Sequence, residues 1–467
     1  MRVNRTACPG QSPMPPGPGA LTRSRALRFW LDPANLAARL DQAGPVVRTR
    51  TGPATAFQVN DPSLLRKVGS DEDTFRFWGP DPSLRDFNGN GVVGLEGDAH
   101  RERRAVMRPA FAASRLITLG PSVQTCTRRL LADLPSDRPL DIRMEMSRLA
   151  CGLLVSCIFN SELEPETLSR IAAARSTLSG GTFWRYALSP WPWVPVPRRR
   201  ACRRALAELD EAVRQVQAGH RPDPDGQDLV SLLSAAAPGN PHAVQRDIRA
   251  LLIAGMETSA STLAWACYEL GRHPHYQQAL RDEADTAPDA SRLQAHQLPL
   301  ATAFIQEVIR LHGIPFLVRR TRYQTSQGGV RMPAGAVVTL PLGALRRDRS
   351  RYPDPDVFDP QRWLPHAEPP PVPAALLAYG LGPRYCPGAA AADAMLPVAL
   401  ATLAGSRTLR PARSGRKIGM SLELTPTPKG LTMYATPCEP RLAGTGPAPG
   451  TNVDSGSGAA STESGHP

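Results

Sequence analysis

Of the eight cysteines in this 467-residue chain, Cys386 has surroundings suited to chemistry. It stands in Tyr379-Gly-Leu-Gly-Pro-Arg-Tyr-Cys386-Pro-Gly388. Three glycines and two prolines around one cysteine exclude helix and regular strand. They make a tight loop whose backbone amides can turn inward onto a thiolate, lowering its basicity and tuning a metal that it binds. Arg384, two residues before the sulfur, is placed to meet an anion beside such a metal. The Ala-rich run after Gly388 predicts a helix, which would put the sulfur near a positive helix N-terminus. The other cysteines (8, 126, 151, 157, 202, 267 and 438) show no paired CxxC spacing and read as ordinary buried or surface thiols.

Three further clusters pair residue types with helical spacing. Glu307 and Arg310 lie three apart, on one helix face. Taken alone they are a helical salt bridge, and Phe358-Asp-Pro-Gln-Arg362-Trp363 supplies a second arginine downstream. Ala254-Gly255-Met256-Glu257-Thr258-Ser259 places an acid and a hydroxyl beside a glycine in mid-helix, where glycine costs about 1 kcal/mol relative to alanine. His100-Arg-Glu-Arg-Arg104 sets His100 and Arg104 one turn apart; by itself such a run is a charged surface helix.

The elements that must carry these groups are mostly helical. Helical periodicity runs from Gly97 to Leu311. Its longest segment, about His242 to His273, opens at Asn240-Pro241, an N-cap followed by proline at the first helical position. It would span roughly 48 Å. After Leu311, GGVRMPAGAVVTL predicts a short hairpin and Met420–Pro437 another. The fold class is therefore mainly α, a large helical domain with small β-sheets late in the chain. Residues 1–22 and 441–467 read as disordered, Pro/Gly-rich and low-complexity respectively, around a single domain at 23–440. The Pro-rich Ser189–Pro197 segment reads as a packed loop within it.

In order and spacing these motifs resemble the cytochrome P450 superfamily over about residues 25–437. The cysteine loop matches its haem-ligand signature, with Tyr379 in the usual phenylalanine position. The resemblance implies haem b with Cys386 as its axial thiolate, and Gly382 and Gly388 close to the cofactor. His100, Arg104, Arg319 and Arg384 would hold the propionates. Glu307, Arg310 and Arg362 would form a structural network, not a catalytic one. Thr258 would hydrogen-bond oxygen and Glu257 would help carry protons to it. The chain departs from the pattern after Gly388: Ala391 replaces a large apolar residue, Met395 stands where glutamate is usual, and Pro397 falls inside the helix. Those changes put the local packing in question but not ligation by Cys386.

The implied activity is oxidation of a hydrophobic secondary metabolite by a monooxygenase using O2. The text from Gln306 to Arg319 and from Phe358 to Leu364 resembles terpenoid-oxidising members of the pentalenene oxygenase type. Tailoring of a polyketide or peptide antibiotic is the alternative, and an inactive haem-binding or recruitment protein is a third. Candidate pocket residues are Phe75, Phe77, Trp78, Phe87, Leu251, Ala254, Ile314, Phe316 and Leu317, mostly apolar. No nucleotide fingerprint is visible, so electrons would come from a separate ferredoxin and its reductase. Arg101, Arg103 and Arg108 could present positive charge to an acidic partner.

Composition narrows the remaining classes. The chain is 41% hydrophobic and 21% charged, which excludes a wholly disordered protein. Its net charge is +13, with Lys only at 67, 417 and 429 among 55 basic residues. The arginines are scattered along the chain, unlike the concentrated patch of a nucleic-acid binder. The N-terminal twenty residues hold no apolar core, and the apolar stretch Ala250–Leu270 is interrupted by Glu257. A cytoplasmic protein with neither leader nor membrane anchor is expected.

Overall fold

The computed structural model describes residues 44–51, 54–77, 91–188, 199–365, 379–413, 418–421 and 425–438. Contacts divide the chain into a unit at Met1–Pro437 and a C-terminal one at Cys438–Pro467. Both expected disordered ends, the Ser189–Pro197 loop, Trp78 and Phe87 lie outside the described residues.

The principal helices are α1 (Pro62–Ser70), α2 (Gly97–Met107), α3 (Gly120–Ala132), α4 (Ile142–Leu153), α5 (Pro165–Leu188), α6 (Arg199–Ala218), α7 (Leu229–Ala235), α8 (Pro241–Arg272), α9 (Pro274–Thr286), α10 (Pro299–His312) and α11 (Ala389–Ser406). Helix α8 begins where its local signals place it. The Asn240 side chain accepts the Ala243 N–H at 3.1 Å, Pro241 takes the first position, and the helix closes on His273 before Pro274. Burial of Leu252, Ile253, Met256, Ala260, Leu263, Ala264 and Leu270 seats it in the main helical core. Gly255 has a packing purpose there: a Cβ would come within 3.0 Å of both methyls of Leu154. Leu154 opens a π-helical turn, Leu154–Ile158, that continues α4 alongside α8.

The strands differ from the sequence expectation. β1 (Val46–Thr51), β2 (Ala54–Val59) and β3 (Phe75–Phe77) precede the large helices, so the sheets are not confined to the late chain. β4 (Leu140–Asp141), β5 (Leu317–Thr321), β6 (Thr325–Gln327), β7 (Val330–Met332) and β8 (Val337–Leu340) follow. β7 does not pair with β8 in the expected hairpin. It pairs with β6 across Gly328-Gly329, which take positive φ, while β8 enters a five-stranded sheet ordered β1-β2-β8-β5-β3. Near the C-terminus β10 (Met420–Ser421) pairs with β11 (Thr427–Pro428). β12 (Thr432–Pro437) instead lies between β4 and β9 (Arg407–Pro411). A second, smaller apolar core of Val46, Phe57, Leu65, Val68, Val338 and Leu340 joins α1 to the large sheet. Phe75 is fully buried in it, so it is a core residue, not a pocket one.

Helix α11 runs unbroken through Pro397, and Ala391, Met395 and Pro397 are all buried. The departures from the family pattern therefore serve an apolar core helix. Among the described residues, Gly382–Ser406 is the one segment long and apolar enough to cross a membrane, and 67% of its most apolar window is buried in the fold.

Candidate haem site and its supporting network

The cysteine loop is built from backbone. The Cys386 N–H donates to the Tyr379 carbonyl at 2.8 Å, closing the turn. Gly380 and Gly382 adopt φ of +83° and +60°, and at Gly382 a Cβ would sit 2.6 Å from the Ser70 Cα. Glycine at 382 thus allows both the left-handed turn and close seating on the end of α1. Burial pushes the Cys386 thiol up. The Gly388 amide, hydrogen-bonding toward the sulfur, and the Arg104 charge pull it down, and the Asp393 carboxylate raises it again. Gly388 caps α11, so the inward amide is that of a helix N-terminus.

Around this loop the fold gathers cations. Arg384 bonds through Nε to the Glu72 carboxylate and through Nη2 to the Leu95 carbonyl at 2.7 Å. Arg319 occupies a buried position of β5, only 2% exposed, donating to the Val318 and Gly69 carbonyls at 3.1 and 3.3 Å. Burial, with Arg384 nearby, lowers its pKa to about 10. His100 and Arg104 project from α2. His100 is buried with Nδ1 lacking a hydrogen-bond partner, and burial plus Arg384 bring its pKa to about 4. Burial lowers Arg104 also, opposed most by Cys386.

Three guanidinium charges (Arg104, Arg319, Arg384) thus face one carboxylate, Glu72, in a desolvated setting. The surplus of two positive charges and the orphaned His100 nitrogen fit a group bearing two carboxylates, as haem does. The thiol loop with its inward amide would suit an iron ligand. Glu72 carries no sequence signal, since it sits in the acidic turn Asp71-Glu72-Asp73. Phe77 pairs with Arg319 across β3 and β5, and its ring lies 5.8 and 4.9 Å from the Arg319 and Arg384 guanidinium carbons. Its observed place is therefore under the cations, not in the apolar pocket for which it was proposed from sequence.

Glu257 and Thr258 are not brought to one face of α8. Thr258 and Ala254, one turn apart, are exposed in mid-helix, and Thr258 Oγ1 donates to the Ala254 carbonyl at 3.1 Å. Leu251, Ile314, Phe316 and Leu317 are half-buried. Glu257 is 2% exposed and turned into the protein. It accepts from Ser179 Oγ at 2.9 Å and the Thr425 N–H at 3.3 Å, with Arg175 Nη1 3.9 Å away. Sequence reasoning missed Arg175, Ser179 and Thr425, which approach from remote parts of the chain.

Glu307 binds five donors: Arg310 Nε and Nη2 at 2.8 and 2.7 Å, Arg362 Nε at 3.1 Å, Trp363 Nε1 at 2.8 Å and the Asp359 N–H at 3.0 Å. Arg310 also reaches the carbonyls of Arg346, Pro355 and Val357. Both Glu307 and Arg310 are fully buried. Trp363 and the Asp359 amide are the members that the sequence did not reveal. Arg103, expected to face a redox partner, instead binds the buried Asp247 of α8 at 2.6 Å. That ion pair removes it from the docking set. Arg101 is paired with exposed Asp98, and Arg108 remains exposed.

Comparison with known proteins agrees with this assembly. The cytochrome P450 family model matches residues 26–412. Cyclooctatin synthase of Streptomyces melanosporofaciens is 28% identical, covering 90% of this chain and 95% of that protein. Cyclooctat-9-en-7-ol 5-monooxygenase of the same organism is also 28% identical, covering 88% and 94%. Pentalenene oxygenase of Streptomyces avermitilis is 27% identical, covering 83% and 89%. The heme domain of cytochrome P450DA superposes with a TM-score of 0.74 at 21% identity, over 91% of this chain and 97% of that one. The fold is that of a haem-thiolate oxygenase. The chain belongs to the cytochrome P450 family and is a monooxygenase.

Removing the Glu307 carboxylate leaves two arginines and a tryptophan N–H without their shared acceptor. Glu307→Ala should cost about 3–5 kcal/mol of unfolding free energy, and Glu307→Gln less, as measured by urea unfolding. A second expectation concerns pH. The folded polypeptide holds His100 near pKa 4, below its ordinary 6.5, so the unfolded chain binds the extra proton between those values. His100 therefore weakens folding as pH falls from about 6.5 to 4 and contributes no pH dependence above that window. The haem-free chain carrying His100→Gln should show a shallower loss of stability between pH 7 and 5 than the unchanged chain; equal slopes would contradict this.

Proposed function

We propose that Cys386 is the axial thiolate of a haem b, that Arg104, Arg319, Arg384 and His100 hold its two carboxylates, and that the exposed mid-helix patch of α8 lines the reaction chamber. The observation that carries this reading is the desolvated surplus of positive charge beside a lone loop thiol. Haem bound there supplies activation of O2, with two electrons and two protons consumed as one oxygen atom enters the substrate and the other leaves as water.

The chain's own residues supply geometry and protons. The inward Gly388 amide moderates the basicity of the sulfur. Thr258 Oγ1, now bonded to the Ala254 carbonyl, is free to turn its proton toward the chamber while its lone pairs accept another. Glu257 is the reserve proton carrier. It must leave Ser179 and Thr425 to reach the Thr258 face, so proton delivery is coupled to a side-chain rotation. Glu307, Arg310 and Arg362 act as scaffold.

The substrate proposed is a terpenoid or a similarly apolar secondary metabolite. Support comes from the relatives named for cyclooctat-9-en-7-ol and pentalenene and from the half-buried Leu251, Ile314, Phe316 and Leu317. Electrons would arrive from a ferredoxin and its reductase, as is general for bacterial relatives, with Arg108 the exposed cation on the α2 side.

The reduced, CO-bound protein should show the red-shifted Soret band of thiolate ligation, and Cys386→His should abolish it. A normal band in Cys386→His would refute the ligand assignment. Thr258→Ala should release more peroxide per electron pair and form less product; unchanged coupling would remove Thr258 from proton handling.

A further inference from the structure

The cysteine loop carries a pair of side chains that the scaffold and proton machinery leave unexplained. Tyr379 begins the loop, and its carbonyl accepts the Cys386 N–H at 2.8 Å. Its hydroxyl donates to Asp393 Oδ1 at 2.6 Å. Asp393 lies in the second turn of α11, just beyond the Gly388 cap whose amide faces the sulfur. One residue therefore grips the ligand loop through its backbone and an aspartate through its side chain. Tyr385, beside the cysteine, packs edge-on to the Tyr379 ring at 6.3 Å and leaves the loop's outer side partly open.

We propose that the Tyr379–Asp393 hydrogen bond fixes a negative charge beside the Cys386 loop and thereby holds the reduction potential of the bound iron down. The inference rests on Cys386 as ligand. A carboxylate near the thiolate disfavours adding an electron to the same site, because reduction makes the site more negative. The geometric link is Tyr379 itself, whose carbonyl closes the ligand loop and whose hydroxyl binds the carboxylate. Phenylalanine at 379 could close the same backbone turn but could not hold the carboxylate. The hydroxyl thus has its own purpose: it holds the Asp393 carboxylate beside the ligand loop. Because Asp393 is exposed, solvent screening keeps the effect modest. Asp393 is a positioning and tuning residue, since it does not touch the reacting atoms.

The test is a spectroelectrochemical titration of the haem-loaded full chain. Asp393→Asn preserves an acceptor for the Tyr379 hydroxyl and removes the charge. It should favour the reduced form by about threefold at fixed potential, a rise of ~28 mV at 59 mV per tenfold for one electron. In the Tyr379→Phe background the aspartate is no longer held, so the same Asp393→Asn change should shift the potential less. The C–O stretch of the CO complex gives a second readout and should rise in Asp393→Asn as electron donation from the sulfur side weakens. An intact thiolate-type Soret band with an unmoved potential overturns this inference alone. Equal Asp393→Asn shifts in both backgrounds overturn the part assigned to Tyr379. Absence of the thiolate-type Soret band from the unchanged chain instead overturns the ligand assignment.

Discussion

The Glu307 carboxylate is where the late chain is fastened to the helical body. A buried anion is costly unless its lone pairs are matched, and here five donors from α10 and the Asp359–Trp363 turn match them. Arg310 then spends its remaining donors on three carbonyls from the stretch between α10 and that turn. The result is a fixed platform from which the chain continues toward the cysteine loop. Neither partner alone could be buried; together they define a register, because only one placement of the turn satisfies all the donors.

Helix α8 meets the opposite demand of presenting two different environments within a few residues. Its central turns bury Met256, Glu257 and Ala260 yet leave Ala254 and Thr258 exposed. A residue without a Cβ at 255 allows the π-turn at Leu154 to press close, while the polar group at 257 is satisfied from α5 and from Thr425. Ser261 and Trp265 both donate to the Pro426 carbonyl, at 2.6 and 2.8 Å. The helix therefore anchors the β10–β11 region on one side while Ala254 and Thr258 stay exposed on another.

What was legible in the sequence followed from locality. Asn240-Pro241 and His273-Pro274 fixed the ends of α8 to within a residue because capping is decided by adjacent groups. The cysteine loop, the Glu307/Arg310 spacing and the His100/Arg104 spacing are likewise short-range patterns. What was hidden depends on partners far along the chain. β2 pairs with β8 some 280 residues later, so early strands look unremarkable until the late ones are placed. Arg384 finds Glu72 across 312 positions, and Arg103 finds Asp247 across 144. An arginine in an arginine-rich chain gives no sign of whether it faces solvent or a buried acid. Trp363 was read as part of a motif, but its hydrogen bond to Glu307 needed the folded turn.

The Arg103–Asp247 pair joins two helices that carry candidate site residues. Arg103 shares α2 with His100 and Arg104, while Asp247 lies in α8 three turns before Thr258 and also accepts the Val92 N–H at 2.8 Å. Burial alone would push the Asp247 carboxyl up, and Arg103 is the principal charge opposing it. The two helices are thus linked through one desolvated contact, and such linkage works in both directions. A shift of α8 that withdrew Asp247 would leave Arg103 of α2 and the Val92 amide without their buried acceptor. The positions of the two helices are therefore not independent, although their partners lie 144 residues apart.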